Sequence, residues 1–129
     1  MAYLIRAIDN ELGVEEVEFN RSTPHKKLME MLECKSLEVF KANGHMFYVD
    51  ELAKVKPNPN QHCHFHTVVP LTSNPNGTYQ IIMGNILFHR TTTDGKILKP
   101  NKTTDFYLDL FINDFYYLDR GVDKPWRLY

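Results

Sequence analysis

The chain has 129 residues, enough for one domain with a proper core and too few for two. Its formal net charge is −1, with 15 Lys+Arg against 16 Asp+Glu and no dense basic run, so binding along a nucleic-acid backbone is disfavoured. No stretch approaches the roughly 20 apolar residues of a membrane span. The opening MAYLIRAIDN lacks the basic flank and small-residue cleavage site of a secretory signal, so the expected place of work is the cytoplasm.

Cys34 and Cys63 are the only cysteines and form no CxxC pair, so two free thiols are expected. Eight Phe and seven Tyr make the chain rich in rings. Such rings fill one core or are partly shown to a partner.

Residues 2–8, AYLIRAI, read as a strand, DNELG (9–13) as a turn, and VEEVEF (14–19) as a returning strand. In the latter, Val17 and Phe19 share one face while Glu16 and Glu18 share the other. STPHKKLMEMLE (22–33) is a short amphipathic helix. Ser22 or Thr23 suits its cap, Pro24 its first turn, and Leu28, Met29, Met31 and Leu32 give one apolar face.

SLEVFK (36–41) and HMFYVD (45–50) flank Asn43-Gly44, the dipeptide that best supplies the positive φ angles of a two-residue hairpin. ELAKVKPNPNQ (51–61) ends as a Pro/Asn loop. HCHFHTVVPL (62–71) alternates like a strand, TSNPNG (72–77) turns, and TYQIIMGNILFHRTT (78–92) is strand again. Within it, Gly84-Asn85 is either a second tight turn or a bulge in one long strand.

TDGKILKPNK (93–102) is a polar connection. TTDFYLDLFINDFYYLDRG (103–121) reads as a helix with Thr104 as cap, Asp105 in its first turn and Gly121 at its stop. Asp105, Asp109 and Asn113 make a solvated stripe, and nearly everything else is apolar. The order β-β-α-β-β-β-β(-β)-α describes a single α+β domain over 1–129: a mostly antiparallel sheet of hairpins with two helices packed on it.

The opening LIRAIDNELGVEEVEF hairpin, the STPHKKLMEMLE helix, the hairpin closing on MFYVDE, the KPNPNQ loop and the IIMGNILFHR strand form a recognisable succession. In this pattern, over about residues 3–90, the chain resembles a small domain family common in phage and plasmid genomes. The resemblance implies a mobile-element origin and a fold, without a shared reaction. The chain departs from it in the HCHFH strand and in the aromatic C-terminal segment.

His62, His64 and His66 stand on alternate positions, which in a strand places them on one side. Two such imidazoles can hold one ion, and a catalytic zinc would need a further ligand, with His89, His45, Asp50 or Glu51 as candidates. The simpler reading makes them a polar outer face opposite a core-facing Phe65. FHRT (88–91) has one His-x-Thr triplet without the second that two-histidine phosphoesterases use. Neither cysteine has an assembled catalytic partner in the sequence.

Asn58, Asn60, His64, His66, Tyr79, Asn85, His89 and Arg90 could together line a site for a small nucleotide-like ligand, through amides, a stacking ring and one guanidinium. Phe111, Phe115, Tyr116 and Trp126 are the candidate anchors of a protein interface. The expectation is a non-catalytic accessory binding protein needing no cofactor. It would inhibit a host or defence protein, or sequester a nucleotide-like signal in a pocket between copies of a homo-oligomer. The alternative is a metal-dependent hydrolase built on His62, His64 and His66.

Overall fold

The computed structural model describes residues 2–8, 11–20, 22–51, 63–70, 79–113, 116–119 and 127–128. For residues 7–8, 11–12, 63–70, 79–81, 83, 113, 116–119 and 127–128 the description is of the backbone alone. The elements are β1 (Ala2–Ile8), β2 (Glu11–Val17), α1 (His25–Leu32), β3 (Leu37–Ala42), β4 (His45–Asp50), β5 (Cys63–Pro70), β6 (Tyr79–Met83), β7 (Ile86–Thr91), β8 (Ile97–Leu98), α2 (Lys102–Asn113), β9 (Tyr116–Asp119) and β10 (Arg127–Leu128). The fold is α+β, in the order read from the sequence.

The strands form two antiparallel sheets. The larger runs β2-β1-β7-β4-β3, with β8 paired to the end of β7, and the smaller runs β10-β9-β5-β6. The two N-terminal hairpins are therefore separated in space, and β7 is inserted between them. A central strand covered on both faces must be apolar on both, and β7 is: Ile86, Leu87, Phe88 and His89 are all buried.

On one face the register lines up rings from four strands. Tyr3 pairs with Phe88, Phe88 with Phe47, and Phe47 with Phe40. Successive centroids are 5.8, 5.4 and 5.0 Å apart. α2 lays Tyr107 and Phe111 edge-on over this ladder, Tyr107 at 5.0 Å from Phe47 and Phe111 at 5.4 Å from Phe88. Edge-to-face contacts of this kind add roughly 0.5–1.5 kcal/mol each beyond buried area. Ile82 of β6 joins the same core and brings the smaller sheet against the larger.

The opposite face is aliphatic under α1, with the Phe19, Tyr48 and His89 rings beside it. Leu28 and Leu32 of α1 pack on Ala2, Leu4 and Leu87, with Val17, Phe19, Met31, Leu37 and Tyr48 around them. The apolar face read from the helix is the one it buries.

Turn chemistry follows the sequence in one place and departs from it in another. Asn43 (φ 49) and Gly44 (φ 75) make the two-residue hairpin turn expected of them. Gly84 and Asn85 make neither a hairpin nor a bulge. β6 and β7 lie in different sheets, so the chain crosses between sheets at Gly84, whose φ of 84 suits a residue without Cβ.

The helix ends also differ. Pro24 stands at the start of α1 with no side-chain cap bond, while Ser22 and Thr23 fold onto Asn20: Asn20 Oδ1 accepts from the Ser22 amide at 2.9 Å, and Thr23 Oγ1 accepts from the Asn20 amide at 3.1 Å. Left-handed Glu33 closes α1, with Glu33 N–H donating to Glu30 O and Cys34 N–H to Met29 O.

α2 ends at Asn113, and residues 116–119 are strand β9 paired with β5, where a helix to Gly121 is expected from sequence. The solvated Asp105–Asp109–Asn113 period stops there, and YYLD is a run that strands favour. Gly121 lies outside the described residues.

Candidate functional site

The start of α2 holds the most chemically suggestive arrangement. His45 follows the Asn43-Gly44 turn, and its Nδ1 lies 2.9 Å from the Asn43 carbonyl oxygen. A carbonyl only accepts, so Nδ1 carries the proton and Nε2 is left as acceptor. Thr104 Oγ1, 2.6 Å away, donates to Nε2. Thr104 Oγ1 accepts from the Asn101 amide at 3.1 Å, and Asn101 Oδ1 accepts from the Thr104 amide at 3.1 Å. Asn101, not Thr104, is therefore the cap, and the two residues form a reciprocal capping box. One turn on, Tyr107 Oη accepts from Asn43 Nδ2 at 2.8 Å.

Hydroxyl, imidazole and carbonyl in sequence have the form of nucleophile, base and orienter. Here Thr104 and His45 are both 0% exposed, beneath α2 and the ring ladder. No substrate atom can meet a hydroxyl enclosed in this way. The relay fastens the helix start to the hairpin turn. Burial pulls the His45 pKa down, against the opposing hydrogen bond to Asn43.

The other sheet face has a second buried imidazole. His89 Nδ1 donates to the Arg90 carbonyl at 3.0 Å, so Nε2 accepts from the Tyr48 hydroxyl at 3.1 Å. Phe19 lies against both rings, at 5.1 Å from His89 and 5.3 Å from Tyr48. Burial lowers the His89 pKa and raises that of Tyr48, which keeps both neutral.

Asn85, also buried, donates from Nδ2 to Leu32 O at 3.1 Å and so satisfies a carbonyl at the end of α1. Arg6 donates to Glu15 Oε1 at 2.6 Å across the β1–β2 pair. Among the described residues, Arg6 Nε and Asn85 Oδ1 are the buried side-chain polar atoms left without a hydrogen-bond partner.

Of the residues proposed to line a ligand site, Asn85 and His89 are thus built into the fold, and Arg90 Nη1 donates to Lys99 O at 3.2 Å. The structure does not bring Asn85, His89 and Arg90 into one open site: His89 and Asn85 are both buried facing the α1 side, with both His89 ring nitrogens and the Asn85 amide N–H hydrogen-bonded within the fold. His64 and His66 occupy alternate positions of β5, an inner strand, opposite Leu118 and Tyr116 of β9; Tyr79 pairs with Pro70. Asn58, Asn60 and His62 lie outside the described residues. Among the described residues no group of three or more His, Cys, Asp or Glu side chains converges as a metal site. Burial first, then Asp50, pushes the Cys34 thiol up to about 11, which makes it a poor nucleophile at neutral pH.

Of the proposed interface anchors, Phe111 is a core residue, 0% exposed, because α2 turns it onto Phe47 and Phe88. It cannot serve as a surface anchor. Tyr116 is in β9, and Phe115 and Trp126 lie outside the described residues. The apolar side chains that α2 does expose are Phe106 (51%) and Ile112 (42%). At 3.6 residues per turn, Ile112, Asp105, Asp109, Lys102 and Phe106 follow one another round one outer arc. Sequence reading missed this pair because the whole segment is apolar. The helical period about the Asp105–Asp109 stripe was the signal that could have found it.

No protein-family model, curated protein or solved structure matches the chain.

Proposed function

We propose that this chain is a non-catalytic binding protein that acts by occupying a partner protein, with the outer face of α2 as its contact. The observation that carries this reading is the exposure of Phe106 and Ile112 on either side of the acidic pair Asp105 and Asp109. Large exposed side chains make good interface anchors, and flanking carboxylates steer toward a basic surface. The partner that fits is a protein presenting an apolar cleft rimmed by Lys or Arg. The internal commitment of His45, Thr104, His89 and Tyr48 to holding the fold also supports a role that rests on shape. The pattern shared with phage and plasmid domains supports a host or defence protein as target, and inhibition as the effect.

The test is capture of binding proteins from host lysate with the wild-type chain and with a Phe106→Ala/Ile112→Ala variant. A stoichiometric protein retained by the wild type, lost with the double variant and weakened by salt supports the reading. A partner held equally by both removes α2 from the contact. Recovery of a nucleotide in place of protein turns the reading to sequestration. A stoichiometric metal lost on His62, His64 and His66→Ala, together with a hydrolytic activity, turns it to a hydrolase.

A further inference from the structure

The edge of the larger sheet at β3 carries a second, separate surface. Two residues turn the chain between Ala42 and His45, so that flanking pair exchanges both of its backbone hydrogen bonds. The pattern then alternates: Ala42, Phe40 and Glu38 bond inward to β4, while Lys41, Val39 and Leu37 point their N–H and C=O groups outward. Among the described residues no strand pairs with that side. Val39 is 44% exposed there. The ring ladder ends at the same edge, where half-buried Phe40 stacks on Phe47 with an interplanar angle of 13°.

We infer that this edge is a self-association surface, on which a second copy of the chain adds its own β3 antiparallel with Phe40 opposite Phe40. This register satisfies three conditions at once. Val39 of one copy exchanges backbone bonds with Lys41 of the other, using the groups that point outward. The two Phe40 rings meet as a close, non-hydrogen-bonded pair, the spacing that favours aromatic cross-strand contact, and join two ladders into one. Each Val39 gains the apolar stem of the facing Lys41 as cover.

Charge decides between the two edges of the sheet. β3, LEVFKA, carries one Glu and one Lys, so two copies bring no net repulsion. β2, ELGVEEV, carries three Glu and no basic residue, so pairing it with itself would set like charges against each other. The surface does not involve Phe106 or Ile112 and stands whether or not α2 binds a partner.

Sedimentation of the full chain over a wide range of concentration tests this, with Val39→Pro as the main variant. Proline at 39 removes an outward N–H and no bond to β4. The expected result is a concentration-dependent dimer for the wild type, a folded monomer for Val39→Pro, and an unchanged dimer for Val14→Pro on β2. Should Val39→Pro fail to fold, Val39→Lys, which sets cations against each other across the same edge, is expected to give the monomer. A wild-type chain that stays monomeric at every concentration overturns the inference. So does a dimer that survives a folded Val39→Pro or Val39→Lys, or one that Val14→Pro abolishes.

Discussion

On the α2 side of β7, Phe88 sits in a lattice of rings, and the helix above is tied down by the Asn101–Thr104–His45 hydrogen bonds. On the α1 side, the neighbouring Leu87 meets Leu4, Leu28 and Leu32, and the helix there is tied down at its other end, by Asn85 on Leu32 O. One strand thus anchors two helices by different chemistry. The ring side combines directional contacts with a buried polar relay. The leucine side combines shape-tolerant aliphatic packing under α1 with a capping amide, and sets the Phe19, Tyr48 and His89 rings and the Tyr48–His89 hydrogen bond beside it. Aliphatic contacts can repack around a lost methyl group more readily than a ladder of stacked rings, so the two sides should respond unequally to damage.

The largest effect expected is from truncating adjacent residues of β7. Phe88→Ala should cost about 3–5 kcal/mol and Leu87→Ala about 2–5, with Phe88 the more damaging in denaturant unfolding. Equal losses, or the reverse order, would erase the distinction between the faces. Next comes Thr104→Val, which leaves the buried His45 Nε2 without its donor at nearly constant volume. A loss of about 1–3 kcal/mol is expected, with Thr104→Ser recovering most of it. Asn85→Ala removes the bond to Leu32 O but also an unpaired buried oxygen, so its cost should stay near the low end of about 0.5–1.5 kcal/mol.

The mildest perturbation is acid. His45 and His89 have lowered pKa values in the folded chain, so the unfolded chain binds more protons as pH drops through about 6.5. Stability should therefore be full above that value and decline below it, toward the folded pKa values. A stability profile flat between neutrality and mild acid would contradict the buried, neutral state of both rings. In Thr104→Val the imidazole loses a donor that favours its neutral form, so the His45 pKa should rise, which NMR titration can follow.

Local signals were the legible ones. Asn43-Gly44 named its turn because a two-residue hairpin needs positive φ there, and Leu28 and Leu32 named the buried side of α1 by helical spacing. What depended on distant neighbours was not legible. His45 owes its role to Thr104, which is 59 residues away in the chain, and Asn85 to a carbonyl 53 residues away. Asn85 reads as a ligand contact from sequence because an amide between strands suits either task. The YYLD segment reads as helix because the apolar run resumes at Phe115, and Asn113-Asp114 suits an exposed turn of helix as well as a helix end. The β-favouring composition of YYLD is a local signal for a strand, while its choice of β5 as partner is a tertiary one.

The insertion of β7 between β1 and β4 has a consequence for how the molecule is made. Residues 2–17 and 37–50 contain two complete hairpins, each able to form from local contacts as soon as it is synthesised. They cannot become one sheet until residues 86–91 have been translated, because among the described residues that is the strand that pairs with both. Contacts of such long sequence separation slow folding, and until they form the inner edges of β1 and β4 stay open to other chains. Between the completion of β4 at Asp50 and that of β7 at Thr91 the growing chain therefore carries two hairpins not yet joined in one sheet, and their union waits on a single six-residue strand.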